Sequence, residues 1–498
     1  MRGSAYADLE IRFRRLHLLG EAAGMLHWDQ ATMMPAGSAE SRAEQLAELA
    51  AVRHGLLTAT DVGDLLEAAS EEDGLGSWQA ANLREMRRKW QHATALNEAQ
   101  VVALSRACST CETKWRQVRG SGSFADVLAE FGAVLVLVRE TAVAKSERLQ
   151  LEPYDALVDQ YEAGLRAERI DPIFDRLAGF LPGFLARVID KQEQSAIADL
   201  PEGPFPVDRQ RRLAEHLMRA IGFDFDKGHL DTSAHPFCGG SGGDIRITTR
   251  FDESDFSSAM MAVLHETGHA LYEMGLPADW RLQPIGQSLG MAIHESQSLL
   301  IEMQVCRSRP FAEFMAPQAR DVFAATGPEW QAENLHRALI HVAPGFIRVD
   351  ADEVTYPAHV ILRYRLERAM IGGDLVAADL PQAWNDGMRD LLGLVPPSDR
   401  EGCLQDIHWF DGAWGYFPTY TLGAIAAAQI FDTARQEQSG IPDDVSRDDF
   451  STLRDWLSTK VHGRGRYLDA EGLLNEVTGR GFDVDAFIRH LERRYLCD

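Results

Sequence analysis

The chain has 498 residues, of which 45% are hydrophobic, and its formal net charge at pH 7 is −25. This hydrophobic content excludes a disordered protein, and the length allows a large buried core. The negative charge argues against nucleic acid or an anionic membrane as a partner, because basic patches bind both. No apolar run is long enough to span a bilayer, and no apolar signal segment opens the chain, so we expect a cytoplasmic protein.

Six cysteines are scattered through the sequence: Cys108, Cys111, Cys238, Cys306, Cys403 and Cys497. In a chain of this length without a secretion signal, free thiols are expected rather than disulfides. Cys108 and Cys111 form a Cys-x-x-Cys pair without a second pair, inside a helical pattern. We interpret this pair as structural.

The first 200 residues carry a succession of helix patterns. Apolar residues recur three and four positions apart, as in Leu9, Phe13, Leu16 and Leu19. Glycine and proline predict breaks between helices at residues 35–37, 74–76, 120–122 and 182–183. We therefore expect residues 1–200 to form a helical N-terminal part.

Trp28, Asp29 and Gln30 stand where the first helix pattern approaches its end, shortly before Pro35. We interpret this segment as a packed turn. A wall of a substrate cleft is the alternative interpretation.

Residues 201–255 interrupt the helical rhythm. A proline-rich linker, 201–206, precedes a helix pattern over about 207–222. A glycine-rich turn, 239–243, then leads into 244–250, where polar and apolar residues alternate as in a strand. The pattern predicts a small β-ribbon, whose edge could pair with the backbone of an extended peptide. A hairpin that only caps the core is the alternative.

The next segment contains His265, Glu266 and His269, an H-E-x-x-H motif with apolar flanks. Two histidines four positions apart lie on one face of a helix and can bind one metal ion. Glu266 follows the first histidine, where it can accept a proton from a water that the metal activates. The apolar flanks argue against the alternative, a surface helix with two solvated histidines.

A third ligand is available at Glu295. It lies in a second helix pattern, from Gln287 to about Cys306, after a break rich in glycine and proline. A helix with two histidines, a loop and a second helix with a glutamate is one way of building a His₂Glu zinc site. We therefore predict that His265, His269 and Glu295 bind the metal.

Helix patterns continue over the rest of the catalytic part, residues 256–498. Residues 329–343 and 353–374 are predicted helices, and another begins near Phe417. Residues 402–423 are dense in aromatic, glycine and polar residues. Loops of this kind on a helical scaffold often carry functional groups.

The motifs together resemble the M32 metallocarboxypeptidases, the carboxypeptidase Taq family, over nearly the whole chain. The matching residues, in chain order, are His235-Pro236-Phe237, Asp244-x-Arg246-x-Thr248, His265-Glu266-x-x-His269, His294-Glu295-Ser296, Ile347-Arg348-x-x-Ala351-Asp352 and Gly402-x-x-Gln405-Asp406-x-His408-Trp409.

The resemblance implies a mainly α fold of the neurolysin type, with a deep central cleft and the β-ribbon beside the H-E-x-x-H helix. It implies a single peptidase unit, residues 1–498, that assembles as a homodimer. The expected activity is release of single residues from peptides with a free C-terminus, with broad specificity and with zinc or cobalt as the metal. A metal-dependent oligopeptidase or endopeptidase on the same fold is the alternative, and a non-catalytic metal-dependent scaffold is a more distant one.

Further roles follow from loop position and from the resemblance. Glu266 is the expected general base, and His408, Tyr416 and Tyr420 are candidates for stabilising the oxyanion. A bidentate arginine best recognises a terminal carboxylate. We predict Arg348 for this role and Arg246 as the alternative, although either could instead hold a structural carboxylate such as Asp350, Asp352 or Asp244.

His235 is predicted to line the cleft or to hold the ribbon. His294, next to a metal ligand, is predicted to contact a ligand rather than the metal itself.

Overall fold

The computed structural model describes residues 4–120, 122–194 and 201–497. The protein is mainly helical, as the sequence predicts, with one small sheet in these ranges. The described helices are α1 (Ala5–Thr32), α2 (Ala39–Leu57), α3 (Asp61–Ser70), α4 (Ser77–Thr94), α5 (Glu98–Val118), α6 (Leu128–Leu149), α7 (Pro153–Tyr161), α8 (Ala167–Glu193), α9 (Val207–Ile221), α10 (Phe256–Met274), α11 (Met291–Leu299), α12 (Arg309–Phe323), α13 (Ala332–Leu339), α14 (Tyr356–Gly372), α15 (Leu380–Leu392), α16 (Pro418–Glu437), α17 (Ile441–Ser446), α18 (Ser451–Lys460), α19 (Ala470–Thr478) and α20 (Val484–Glu492).

The N-terminal breaks are confirmed at residues 35–37 and 74–76, which separate α1 from α2 and α3 from α4. The break at 120–122 follows α5, although Ser121 itself lies outside the described residues. The predicted helical part also includes residues 195–200, which are likewise outside those ranges.

The predicted break at 182–183 is wrong, because α8 continues through Pro182. Proline removes one backbone hydrogen bond and strains the preceding turn. Here the neighbouring apolar side chains Leu181, Phe184 and Leu185 are all buried in the core. The free energy gained by burying these apolar side chains offsets the local cost of the proline, so the helix continues through Pro182.

The sheet has three strands, β1 (Gly228–Thr232), β2 (Phe237–Ser241) and β3 (Asp244–Thr249), in the order β1-β3-β2. β2 and β3 form the predicted ribbon and pair antiparallel, and β1 pairs parallel to β3. The predicted glycine-rich turn is shorter than expected: three of its five residues belong to β2, and the turn itself is Gly242–Gly243.

Trp28 packs on this sheet. Its buried ring lies 5.2 Å from the ring of Phe237, with α1 lying against β2. The segment is therefore packed as interpreted, although Trp28 lies in the last turns of α1 and the chain leaves the helix only after Thr32.

Helix α11 begins at Met291, later than predicted, because residues 284–286 form a short 3₁₀ turn and Gly290 caps the helix. Its end continues into a π-helical segment, Leu300–Cys306. Such segments are rare and frequently lie at functional sites.

Three helices meet through glycines. A Cβ at Gly268 of α10 would lie 2.5 Å from the carbonyl oxygen of Gln297, which lies in α11. A Cβ at Gly423 of α16 would lie 2.8 Å from Cβ of Glu295. Both distances are shorter than carbon contacts allow, so the absence of a side chain lets α10 and α16 approach α11 from two sides.

The end of the chain is tied to the core by Glu353. This buried carboxylate accepts hydrogen bonds from Arg494 at 2.8 Å and from the hydroxyl of Tyr495 at 3.0 Å. His490 contributes a third contact at 2.8 Å. In the parts of the chain that the structure describes, no helix combines the length and the apolar character that crossing a bilayer demands.

Candidate metal centre and active site

Helix α10 presents the H-E-x-x-H motif. Its first turn is capped by Asp255, whose carboxylate accepts hydrogen bonds from the backbone N–H groups of Ser257 and Ser258. His265 and His269 follow on one face of this helix. Glu266 and His269 are buried, with 8% and 9% of their surface exposed.

Glu295 of α11 faces the two histidines. Its Oε2 lies 3.5 Å from Nε2 of His269 and 3.9 Å from Nε2 of His265. One ligand atom from each of the three residues lies within 4.8 Å of the others. Zinc holds nitrogen and oxygen ligands at about 2.0–2.2 Å in a tetrahedron, so these separations fit three ligands around one ion.

The orientation of His265 is set by a further carboxylate. Nδ1 of His265 lies 3.0 Å from Oε2 of Glu302, in the π-helical segment. Oε1 of Glu302 accepts a hydrogen bond from Arg307 at 2.8 Å. The carboxylate fixes the ring so that Nε2 points toward Glu295, the arrangement that a metal-binding histidine needs.

His294 supports the other histidine. Its ring stacks on the ring of His269 at 4.4 Å, and its Nε2 lies 3.0 Å from Oε1 of Glu273. His294 is thus in contact with a candidate ligand, as predicted. Nε2 of His294 is occupied by its contact with Glu273, which is consistent with a role beside the ligands.

The electrostatics of the centre favour a cation. Although burial opposes it, the carboxylates of Glu295 and Glu302 raise the pKa of His265 to about 10. Burial would raise the pKa of Glu295, but the charges of His265 and His269 lower it to about 2. For His269, burial and His294 lower the pKa to about 4. The field that holds a proton on His265 would equally stabilise a metal ion, so the residues fit the metal that their donor set implies.

Glu266 has the properties of a general base. Burial raises the pKa of its carboxyl to about 7, and the Glu295 charge adds to that effect, while a hydrogen bond from the backbone N–H of Cys238 opposes it. A carboxylate with a pKa near neutral can take up and release a proton at physiological pH. Cys238 belongs to β2, so the edge strand of the sheet lies directly beside Glu266.

Arg348 lies in a second polar cluster, built on Asp406. Nε and Nη2 of Arg348 donate to Oδ1 of Asp406 at 3.0 and 2.8 Å, and Nη1 donates to the hydroxyl of Tyr356 at 2.9 Å. Arg363 donates to the other oxygen, Oδ2, at 2.6 Å. The partner of Arg348 is therefore Asp406 and neither of the nearby aspartates considered from the sequence.

His408, Tyr416 and Tyr420 adjoin this cluster. Nε2 of His408 lies 3.2 Å from the hydroxyl of Tyr420, and the rings of Tyr416 and Tyr420 are 5.1 Å apart. Burial lowers the pKa of His408 to about 4, so its imidazole is neutral. Burial and the charge of Glu295 raise the pKa of Tyr416 above its usual range, so its hydroxyl keeps its proton and can donate a hydrogen bond.

The guanidinium carbon of Arg348 lies 4.9 Å from the centre of the Tyr420 ring. The structure thus brings Arg348, His408, Tyr416 and Tyr420 together, close enough to Glu295 for its charge to act on both tyrosines.

Arg246 and His235 have partners in or next to the ribbon. Arg246 donates from Nε and Nη2 to the two carboxylate oxygens of Asp244, at 2.9 and 2.5 Å. His235 is exposed on the bend before β2, and its backbone carbonyl accepts a hydrogen bond from Ser233. The backbone of His235 therefore helps to hold the ribbon.

The roles of Glu302 and Asp406 were not predicted from the sequence. Glu302 follows Glu295 by two helical turns, so a search for carboxylates on the same face would have found it. Asp406 was part of a recognised motif, but its two arginine partners come from distant positions that no local spacing reveals.

A family model described as carboxypeptidase Taq (M32) metallopeptidase matches residues 8–495. The chain belongs to the M32 family of metallocarboxypeptidases. This M32 enzyme is 38% identical over 504 aligned positions to thermostable carboxypeptidase 1 of Thermus thermophilus, with 99% of this chain and 98% of that protein covered. It is 30% identical to carboxypeptidase 1 of Bacillus subtilis, with 97% and 96% covered.

Solved structures agree with this assignment. Metallocarboxypeptidase 1 of Trypanosoma cruzi superposes with a TM-score of 0.97 at 39% identity, covering 99% of both chains. The M32 carboxypeptidase of Deinococcus radiodurans R1 superposes with a TM-score of 0.92 at 34% identity, again covering 99% of both. The predicted family, the mainly helical fold and the peptidase activity are thereby confirmed, and this chain is a metal-dependent peptide hydrolase of the M32 family.

Proposed function

We propose that this M32 metallocarboxypeptidase releases single residues from peptides with a free C-terminus, with broad specificity and with zinc as the metal and cobalt as an alternative. The observation that carries the proposal is the convergence of His265, His269 and Glu295 beside a buried Glu266. Two imidazoles and one carboxylate are a donor set that zinc prefers in catalytic sites, where a further position stays open.

In this mechanism His265, His269 and Glu295 hold the ion. When bound, the metal supplies Lewis acidity, which makes water a better nucleophile and polarises the peptide carbonyl. Glu266 accepts the proton of the attacking water and passes it to the leaving amine. Its pKa, near 7, suits both directions of transfer.

The oxyanion requires hydrogen-bond donors from the protein. Tyr416 and Tyr420 keep their phenolic protons, and the neutral His408 keeps one N–H. The contact between His408 and Tyr420 uses one of these three donors, which leaves two for the oxyanion. His408 already contacts Tyr420 at 3.2 Å. We assign oxyanion stabilisation to this group of three, without separating the two tyrosines.

Arg348 is the proposed receptor for the terminal carboxylate. Of its five N–H groups, Nε, Nη1 and Nη2 each donate one to Asp406 or Tyr356, which leaves one N–H on each terminal nitrogen. Two such groups suit a bidentate contact with a carboxylate. Arg246 has its own bidentate partner, Asp244, and remains the alternative.

The β2 edge offers backbone groups to the substrate. β2 stands at one end of the sheet order and lies beside Glu266 through Cys238. A peptide that adds to this edge would be held in an extended form along the site. Beyond it, a cavity of about 750 Å³ lined in part by α1, α2 and β2 reaches His294 and Glu273, and could receive upstream residues.

The resemblance to the family also leads us to propose a homodimer, which sedimentation equilibrium would test. A reducing, cytoplasmic compartment belongs to the same proposal, because all six cysteines are free.

The deciding experiment is mass spectrometry of a peptide mixture after incubation with the purified protein. Each peptide is supplied with a free and with an amidated C-terminus, with and without a chelator, and after reloading with zinc or cobalt. The proposal predicts ladders that shorten one residue at a time from free C-termini and that need metal. Internal fragments, or equal cleavage of amidated peptides, would instead support the oligopeptidase.

A further inference from the structure

A second cavity lies away from the candidate active site. Its volume is about 740 Å³, and it is enclosed by α8, α12, α13, α16 and α17 together with the C-terminal segment. Neither the candidate metal ligands nor the proposed catalytic and carboxylate-binding residues line it. Its size falls in the range of about 300–1,000 Å³ that is typical of small-molecule sites.

The charge of this cavity is opposite to that of the protein. Six arginine and lysine residues line it, against two aspartate and glutamate residues, counted over the described part of the chain. The whole chain carries a formal charge of −25, so a basic cavity does not follow from its composition. Clustered cations in a concave surface focus a positive potential and attract anions.

One arginine of the cavity wall, Arg494, is paired with the buried Glu353, but two others share a single carboxylate. Asp432 is shared by Arg435 at 3.3 Å and Arg493 at 3.4 Å. Glu333 is likewise shared by Arg309 and Arg337, at 2.5 and 3.1 Å, but Arg309 also lies 3.6 Å from Glu313. One carboxylate cannot neutralise two guanidinium groups, so a positive charge remains at Asp432.

Arg435 shows the consequence most clearly. Its Nε is buried and has no hydrogen-bond partner among the described residues. Burial lowers the pKa of Arg435, and the neighbouring charges of Arg493 and Arg494 lower it further, although Asp432 opposes them. A buried donor without an acceptor is costly. Because this Nε is inaccessible even with the cavity empty, an anion would contact the other part of the Arg435 side chain, which is 30% exposed and lines the cavity.

Apolar side chains complete the cavity. Val188, Ile340, Phe431 and Val445 line it between the charged residues. A wall of this composition accommodates a carbon skeleton as well as charged groups, which favours an organic anion over a simple inorganic ion.

We propose that this cavity binds a small organic anion carrying two or more carboxylate or phosphate groups, held by Arg435 and Arg493 on one side and by Arg337 on another. The proposal is independent of the peptidase mechanism, because it concerns a different set of residues.

The test is isothermal titration of the metal-loaded protein with two probes, tricarballylate for the carboxylates and fructose 1,6-bisphosphate for the phosphates. Binding of either probe identifies the preferred anionic group. The double variant Arg435→Gln/Arg493→Gln should weaken that binding by about tenfold or more, because two charge-assisted hydrogen bonds are lost. The matched control is Arg489→Gln, an exposed arginine of α20 that does not line the cavity.

Absence of binding by both probes would overturn the proposal, as would equal weakening in the control variant or unchanged affinity in the double variant. If the double variant does not fold, as judged by circular dichroism, Arg337→Gln serves in its place. Arg337 is exposed, and Glu333 is its ion-pair partner among the described residues, so its removal leaves the core intact. The same decrease in affinity is expected from this variant, and an unchanged affinity would again contradict the site.

Discussion

Gly268 lies so close to Gln297 that a Cβ added to the glycine would be 2.5 Å from the carbonyl oxygen of Gln297. Gly268 stands between the proposed general base and the second histidine of the H-E-x-x-H motif. Gln297 lies two residues after Glu295, on the opposing helix. The contact between these two residues therefore sets the distance between the histidines and the glutamate of the candidate metal centre.

Gly268→Ala should push α10 and α11 apart. We expect a loss of about 1–3 kcal/mol in the free energy of unfolding and a weaker metal site, because overpacking shifts the backbone of both helices. Denaturant unfolding and metal titration measure the two effects. Gly132→Ala is the control: Gly132 lies in α6 with open space around it, so alanine there should leave metal affinity unchanged. Unaltered metal binding in Gly268→Ala would show that the helices can adapt.

Glu266→Gln should retain the metal and lose about 10²–10⁴-fold in kcat, because the amide cannot accept the proton of the attacking water. Elemental analysis of the purified variant and a peptide turnover assay measure both properties. The comparison is Glu295→Gln, which removes a ligand and should lose metal together with activity. A Glu266→Gln variant that lost its metal but kept its rate would overturn the assignment of the base.

Glu302→Gln should weaken metal affinity by about 10–100-fold, because the neutral amide no longer fixes the tautomer and ring orientation of His265 as the carboxylate does. Competition with a chelator of known affinity gives this number. Activity at saturating metal should fall much less than in Glu266→Gln. If metal affinity were unchanged, the contact between Glu302 and His265 would be purely structural.

Arg348→Ala should reduce kcat/KM for peptides with a free C-terminus by about 10–100-fold, the value of a lost bidentate contact. The amidated peptide of the same sequence should be affected far less, so the preference for a free terminus falls. A general loss of stability would lower both rates equally, so the ratio separates the two effects. If Arg246→Ala abolished the preference and Arg348→Ala did not, the carboxylate receptor would lie on the ribbon.

Glu162 gives the protein a pH-dependent stability. This fully buried carboxyl accepts a hydrogen bond from the backbone N–H of Ala292 at 2.7 Å, in the first turn of the helix that carries Glu295. Burial raises its pKa from 4.5 to about 7. Between these values the folded state binds more protons than the unfolded state. The contribution of Glu162 to the free energy of unfolding therefore decreases as pH rises from about 4.5 to about 7.

Glu162→Gln should remove this dependence, which amounts to about 3 kcal/mol for a shift of this size. Urea unfolding at pH 5 and at pH 7.5 measures it, and exposed Glu168→Gln in α8 controls for the loss of one charge. The stability difference between Glu162→Gln and the parent should grow in favour of the variant as pH rises. A difference that stayed constant with pH would contradict the raised pKa of Glu162.

The sequence predicts the same three residues that the structure brings together as a candidate metal centre, because their spacing is local. The distance between His265 and His269 is a property of one helix, and Glu295 lies in the next one. The main elements of the catalytic part followed for the same reason: α10, α14 and α16 were predicted to within a few residues.

The failures share a physical cause, since each depended on a contact between distant parts of the chain. Pro182 was predicted to end a helix, but burial of its apolar neighbours decides otherwise. The parallel partner β1 of the ribbon has no local signal. The ion pair between Arg348 and Asp406 joins a short turn to a later loop, whereas the sequence offered only nearby aspartates as alternative partners of this arginine.

The candidate metal ligands and the proposed general base come from a single short stretch of sequence, His265 to Arg307, whereas the proposed carboxylate receptor and oxyanion donors come from Arg348 to Tyr420. In this proposal the activation of water and the binding of the peptide end are therefore encoded in separate segments. Grafting the later segment from a relative with another peptide preference should transfer that preference while the ion-holding segment remains untouched. Relatives of this enzyme can diversify in the same way, when the segment that binds the peptide end changes and the segment that activates water is conserved.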